Sequence, residues 1–129
     1  MINYQAIKRL DIAQDENGNT VVVLKSDNEK ILLISIGETE AHSIYLALND
    51  KNYERPLTHD LIKTILDSFK YAVEKILITK LEKNIYYSII RLSAESGKEI
   101  FHIDSRPSDA IAIALRFKAP IFVNEDLLK

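Results

Sequence analysis

A chain of 129 residues, 47% hydrophobic and 28% charged, fits one globular domain able to bury a sizeable core. Its 17 basic and 19 acidic side chains give a formal charge of −2, which argues against a dedicated nucleic-acid binder with a basic face. A nuclease could still hide a local basic groove in that sum, whereas the absence of cysteine rules out a disulfide framework and a thiolate metal site.

The first residues, Met1 to Gln5, lack the basic start and apolar run of a signal peptide, and no apolar stretch approaches the roughly 20 residues of a membrane helix. The expectation is a soluble cytoplasmic protein with no membrane contact and a single domain over residues 1–129.

In chain order, Ile7 to Ile12 alternates loosely, Asn17-Gly18 is a strong hairpin signal, and Thr20 to Leu24 is β-branched and apolar. Asp27-Asn28 marks a second turn before Ile31 to Ile36, so the simplest arrangement is a three-strand antiparallel meander. Gly37 breaks the pattern. Ala41, Ile44, Tyr45 and Leu48 then share one helical face, with Glu38 and Glu40 in the first turn. After the polar loop Asn49 to Glu54, a second helix starts near Thr58 as N-cap, with Leu61, Ile62, Ile65, Leu66 and Phe69 as its apolar face.

A second strand group begins near Ala72. Ile76 to Leu81 and Ile85 to Leu92 flank the turn Glu82-Lys83-Asn84, and Ser96-Gly97 leads into Glu99 to Ile103. A third helix over about Pro107 to Phe117 is apolar around most of its circumference, which predicts burial between layers. Pro120 precedes a short strand, Ile121 to Val123, and a terminal turn. The order βββααβββαβ predicts an α+β domain whose curved, mostly antiparallel sheet packs against three helices.

Three clusters carry candidate chemistry. Arg55-Pro56-Leu57-Thr58-His59-Asp60 sets a guanidinium, an imidazole and a carboxylate around a helix start. His59 suits general acid–base work because imidazole titrates near neutrality, and Arg55 suits bidentate phosphate binding. Capping explains the same residues: Thr58 takes an N–H, Asp60 complements the dipole, and Arg55 pairs with a carboxylate. Asp104-Ser105-Arg106-Pro107-Ser108-Asp109-Ala110 opens the buried third helix. Asp104 and Asp109 could hold a hard divalent cation, Mg or Mn, and Arg106 a phosphate. Alternatively Ser105 or Ser108 caps the helix and Arg106 pairs with Asp104. Glu38 and Glu40 could add oxygen ligands to that cation, or serve the helix dipole alone. Lys70 to Arg91, basic residues interleaved with tyrosines, reads as solvated strand faces, and His42 and His102 stand isolated. No H-E-x-x-H, P-loop, G-x-S-x-G or G-x-G-x-x-G pattern occurs.

Three blocks taken together, Gly37-Glu38-Thr39-Glu40-Ala41, Arg55 to Leu61, and Asp104 to Ala112 continuing through Arg116 to Val123, resemble the bifunctional nuclease (BFN) domain family. The order and spacing of the blocks carry the resemblance from about residue 4 to 128. Ser105 departs from the family's frequent alanine, and Asn49-Asp50 from its frequent glycine.

The resemblance implies a single-domain α+β fold and a nuclease acting on DNA and RNA, without assigning catalytic residues. On the motifs themselves, the catalytic candidates are His59, Asp60, Asp104 and Asp109. Arg55 and Arg106 are the phosphate binders, and Glu38, Glu40, Asp104 and Asp109 the metal ligands. The contrasting hypothesis is a non-catalytic oligomeric or regulatory module that uses its Arg-Pro motifs for structure or anion binding, with Arg55 and Arg106 in buried ion pairs. Open sheet edges point to a homo-oligomer, a dimer being the base expectation.

Overall fold

The computed structural model describes all of Met1 to Lys129. Its strands are β1 (Tyr4–Gln14), β2 (Thr20–Ser26), β3 (Ile31–Ser35), β4 (Tyr71–Glu82), β5 (Ile85–Ala94), β6 (Ile100–Ser105) and β7 (Ile121–Asn124). The helices are α1 (Glu38–Leu48), α2 (Thr58–Ser68) and α3 (Pro107–Phe117), and a short 3₁₀ turn, Glu125–Leu127, follows β7. The expected α+β order is the observed one. The strands form one sheet in the order β3-β2-β1-β7-β4-β5-β6, in which every pairing is antiparallel except β4 with β7.

The N-terminal meander forms as expected. Gly18 takes φ 81° in the β1–β2 turn, and the Asp15 carboxylate accepts the N–H groups of Asn17 and Asn19 there. β1 is longer than its alternation suggested because it serves two partners. Tyr4 to Ala6 pair with β7 and Ile7 to Gln14 with β2, with an irregularity between Ile7 and Arg9 where the strand changes partner. The β1–β7 pairing joins the two ends of the chain, which no local pattern encodes.

The core lies between the sheet and α3. Ala110, Ile111, Ala112, Ile113 and Ala114 are all buried, against Leu24, Ile76, Ile78 and Val123 of the sheet and Ile44 of α1. α3 touches α1 and α2 on one side and β4 and β5 on the other, so it is a middle layer and is apolar all round for that reason. Its alanines permit the close approach.

Three local expectations need correction. Tyr45 is exposed, while the buried face of α1 holds Ala41, Ser43, Ile44 and Leu46. On α2, Leu61, Ile65 and Phe69 are exposed; Ile62 and Leu66 reach the core, and the buried residue of the helix is His59. Thr58 is the first helical residue rather than the cap. Leu57 holds the cap position, and Asp60 Oδ2 accepts the Leu57 N–H at 2.9 Å. The basic stretch of β4 and β5 is a set of paired surface cations: Lys80 with Glu82, Arg91 with Glu74, Lys70 with Glu95. No helix is long and apolar enough to cross a membrane.

Candidate active site

The two Arg-Pro corners meet. Pro107 at the first position of α3 sets the helix start beside the start of α2, so that Asp109 and His59, both in first turns, face each other. His59 Nε2 lies 2.9 Å from Asp109 Oδ1. Arg106 closes on the same carboxylate, with Nε 2.9 Å from Oδ2 and Nη2 3.2 Å from Oδ1. Its Nη2 also lies 3.8 Å from Glu40 Oε2 on α1.

The polar chain continues behind His59. Ser43 Oγ on α1 is 2.6 Å from His59 Nδ1, and Arg116 Nη2 on the last turn of α3 is 3.0 Å from the same Oγ. Arg116 Nε lies 2.6 Å from Asp60 Oδ1, and its Nη1 donates to the Ala112 carbonyl at 2.9 Å. Seven side chains therefore form one connected path, Glu40–Arg106–Asp109–His59–Ser43–Arg116–Asp60, which ties all three helices together.

The donor inventory fixes the protons. Arg116 can only donate, so Ser43 Oγ accepts from it and keeps its own hydrogen for His59 Nδ1. Nδ1 is then the acceptor, and the neutral ring carries its proton on Nε2, directed at Asp109. Burial pushes the Asp109 carboxyl up, but hydrogen bonds from Arg106 and His59 outweigh it and hold the pKa below the usual carboxylate value. Asp60 behaves alike: burial raises it, and the Arg116 and Leu57 hydrogen bonds prevail and lower it. Both acids are carboxylates near neutral pH.

A cleft of about 240 Å³ opens at one end of this path, walled by Glu40, His42, Ser43, His59, Arg106 and Asp109. His42 on its rim pairs with Tyr53 of the loop before α2. The Arg106 side chain is 65% exposed and that of His59 only 10%. The open wall of the cleft thus holds a cation and a carboxylate, with an imidazole N–H set just behind them.

The other candidates lie elsewhere. Arg55 is exposed and makes no ion pair within the chain, and Asp60 is turned into the Arg116 contact. Asp104 is an exposed β6 residue opposite Ile89, and Glu38 accepts from Thr20. Glu38, Glu40, Asp104 and Asp109 consequently do not converge, and no group of three or more His, Asp or Glu side chains is arranged to hold a metal ion. The Glu40 and Asp109 pair is already bridged by the Arg106 guanidinium. These residues do not fit the divalent site that the motifs suggested. The Arg106 partners are Asp109 and Glu40, not Asp104, and neither Arg55 nor Arg106 is buried. The buried arginine is Arg116.

Ser43 and Arg116 are the members of the path whose part the motifs left open. Their signal was periodicity: Glu40 and Ser43 are i, i+3 on α1, and Asp109, Ala112 and Arg116 are i, i+3, i+7 on α3. A serine and an arginine within otherwise buried helical faces need partners, and here they find each other.

Residues 22–129 match the family described as the bifunctional nuclease domain. An uncharacterized protein of Mycobacterium tuberculosis is 30% identical over 117 residues, 91% of this chain and 68% of that protein. Bifunctional nuclease 1 of Oryza sativa subsp. indica is 35% identical over 114 residues, 86% of this chain and 34% of its own length. Bifunctional nuclease 1 of Arabidopsis thaliana is 35% identical over 109 residues, 82% of this chain and 34% of its own length. The chain thus spans about a third of these plant nucleases.

Proposed function

The chain belongs to the bifunctional nuclease domain family, and from that premise we propose that it hydrolyses phosphodiester bonds of DNA and RNA in the cleft walled by Arg106, Asp109 and His59. The observation that carries this reading is the 2.9 Å contact between His59 and Asp109, residues from separate motifs brought together at a cleft.

A phosphodiester is an anion whose transition state gathers further negative charge on the non-bridging oxygens. Cleavage therefore needs a fixed cation, an acceptor for the proton of the attacking water, and a donor for the leaving oxygen. Arg106 supplies the cation: Nε and Nη2 serve Asp109, and Nη1 remains for a phosphate oxygen. Asp109, ionised, accepts the proton of the water. His59 gives its Nε2 proton to the leaving oxygen, while Ser43 on Nδ1 holds the ring in that tautomer. Backbone phosphate and sugar–phosphate bonds are common to DNA and RNA, and a site built on these groups alone discriminates little between them.

The reading is tested by cleavage of labelled single-stranded DNA and RNA with purified wild type, His59→Ala and Asp109→Ala, each checked for folding, in Mg²⁺, Mn²⁺ and EDTA. Loss of activity by about 10²- to 10⁴-fold in both variants is the expected result. Equal activity in all three proteins would overturn it. Abolition by EDTA in wild type would restore Glu40 and Asp109 as cation ligands. Complete inactivity of a well-folded wild type would favour a non-catalytic module in which the Arg116–Asp60 contact serves only to join the helices.

A further inference from the structure

The sheet has two edges, and they are finished differently. On β3, Ile31 exchanges backbone hydrogen bonds with Lys129, N–H to carbonyl at 3.0 Å in both directions, so the C-terminal residue covers part of that edge. β6 pairs with β5 on one side and with nothing on the other. Half of its backbone N–H and C=O groups face away from the sheet, a template for another strand.

The side chains of β6 are those of an inner strand. Two cross-strand rows leave the core and end on it. Val73, Leu92 and Phe101 are opposite one another in register, as are Ile76, Ile90 and Ile103. Exposure along the second row is 0%, 6% and 43%. Phe101 is 44% exposed, with Tyr71 edge-on to its ring, and Ile100 on the opposite face is 46% exposed. The helices stop short of β6, so core rows run out into water at an unpaired edge. Edge strands are normally short of apolar side chains or blocked by charge and proline, and this one is not.

We propose that β6 is a self-association strand. Two copies of this chain pair β6 with β6 antiparallel about a two-fold axis at Phe101, continuing the sheet across the dimer. The charges select this register. With Phe101 opposite itself, Lys98 stands opposite Asp104 of the second copy, twice by symmetry. Neither residue has an ion-pair partner inside its own chain. Moving the axis to His102 would set Lys98 against Arg106, and moving it between Phe101 and His102 would set Glu99 against Asp104, both repulsive. In the chosen register, the Phe101 rings and the Ile103 side chains lie on the face that carries the core rows, and each copy covers the exposed ends of the other's. Self-pairing of one patch is the geometry of the commonest oligomer. Asp104 thereby acquires a role at the interface rather than in the cleft.

The test is independent of activity. Sedimentation and light scattering should give twice the 14.7 kDa chain mass. Phe101→Glu and Asp104→Lys should each shift the protein to monomer, raising the dimer dissociation constant at least tenfold. Lys98→Asp combined with Asp104→Lys should restore the dimer. Because the chain lacks cysteine, the register can be read directly. Directly opposite Cα atoms lie about 4.5–5.5 Å apart, within disulfide reach, so Phe101→Cys should cross-link on mild oxidation. Ile103→Cys should not, its symmetry mate being four residues away along the strands, roughly 13 Å. A wild type that stays monomeric at its highest soluble concentration overturns the proposal. So does a dimer indifferent to both single substitutions, or one that cross-links through Ile103→Cys and not Phe101→Cys.

Discussion

Arg106 and Arg116 stand at opposite ends of α3 and each closes on an aspartate from a helix first turn. Their settings differ sharply: the Arg116 side chain is 8% exposed and that of Arg106 65%. Arg116 spends its donors on Asp60, Ser43 and the Ala112 carbonyl, all inside the protein. Arg106 reaches Asp109 and Glu40 from the solvent side of a cleft. The same pair of residue types thus makes a joint at one end and an open site at the other, with Ser43 and His59 as the link. A buried guanidinium must be fully satisfied to be tolerated, whereas an exposed one can exchange a protein partner for a ligand at little cost. The joint is therefore expected to govern stability and the open end activity.

Breaking the joint should give the largest effect on folding. Arg116→Met removes the donors of Asp60 and Ser43 and keeps much of the apolar stem. The expected loss is about 3 kcal/mol, the lower end for a severed buried pair because Asp60 is itself a third exposed. Urea or thermal unfolding measures it. A loss indistinguishable from that of Arg106→Gln would dissolve the distinction between the two ends.

Acid titration sharpens the comparison. Asp60 and Asp109 both have folded-state pKa values below the ordinary carboxylate value. Around pH 4 the unfolded chain binds more protons than the folded one, so stability rises with pH there. The contribution is complete above the unfolded value of about 4 and is lost as pH falls through the folded values. Asp60→Asn and Asp109→Asn should each flatten the stability curve below about pH 4, while above it Asp60→Asn should cost more, since its partner has no access to water. Unfolding midpoints at a series of pH values decide this. An acid limb as steep in both variants as in wild type would mean that neither carboxylate is held in its ion pair.

Most of the fold was legible because its signals are local. Asn17-Gly18 placed a hairpin, Pro107 a helix start, and the apolar circumference of α3 its middle-layer position. The misreadings share one cause. Tyr45, Leu61 and Ile65 satisfied helical periodicity, but the neighbour that would cover them does not exist, and the side of α2 that is buried does so through His59. Periodicity finds a face; only tertiary packing says which face is used. The site was half legible for a similar reason. His59, Arg106 and Asp109 announce themselves as polar residues at helix starts. Ser43 and Arg116 lie mid-helix and at a helix end, and only the meeting of three helices gives them partners. Asp104 looked like part of the site because it is five residues from Asp109 in sequence, yet it sits on a strand outside the helix cluster.

Arg106 itself should give the smallest stability change and the clearest functional one. Its pairs with Asp109 and Glu40 are largely solvated, so Arg106→Gln should cost less than about 1 kcal/mol. The same substitution removes the one cation on the open wall of the cleft. If that guanidinium binds the phosphate in both ground and transition states, KM for oligonucleotide rises and kcat falls little; if it stabilises only the charge that develops on cleavage, kcat falls and KM stays. The exposed Nη1, free of Asp109, favours contact with the bound phosphate from the start, and the larger change is expected in KM. Arg106→Lys should recover charge but not the fork that holds Asp109 with two nitrogens, and so should restore binding only in part. Glutamine and lysine variants that both cleave like wild type would remove Arg106 from the site and leave the exposed end of α3 with no more than a surface ion pair.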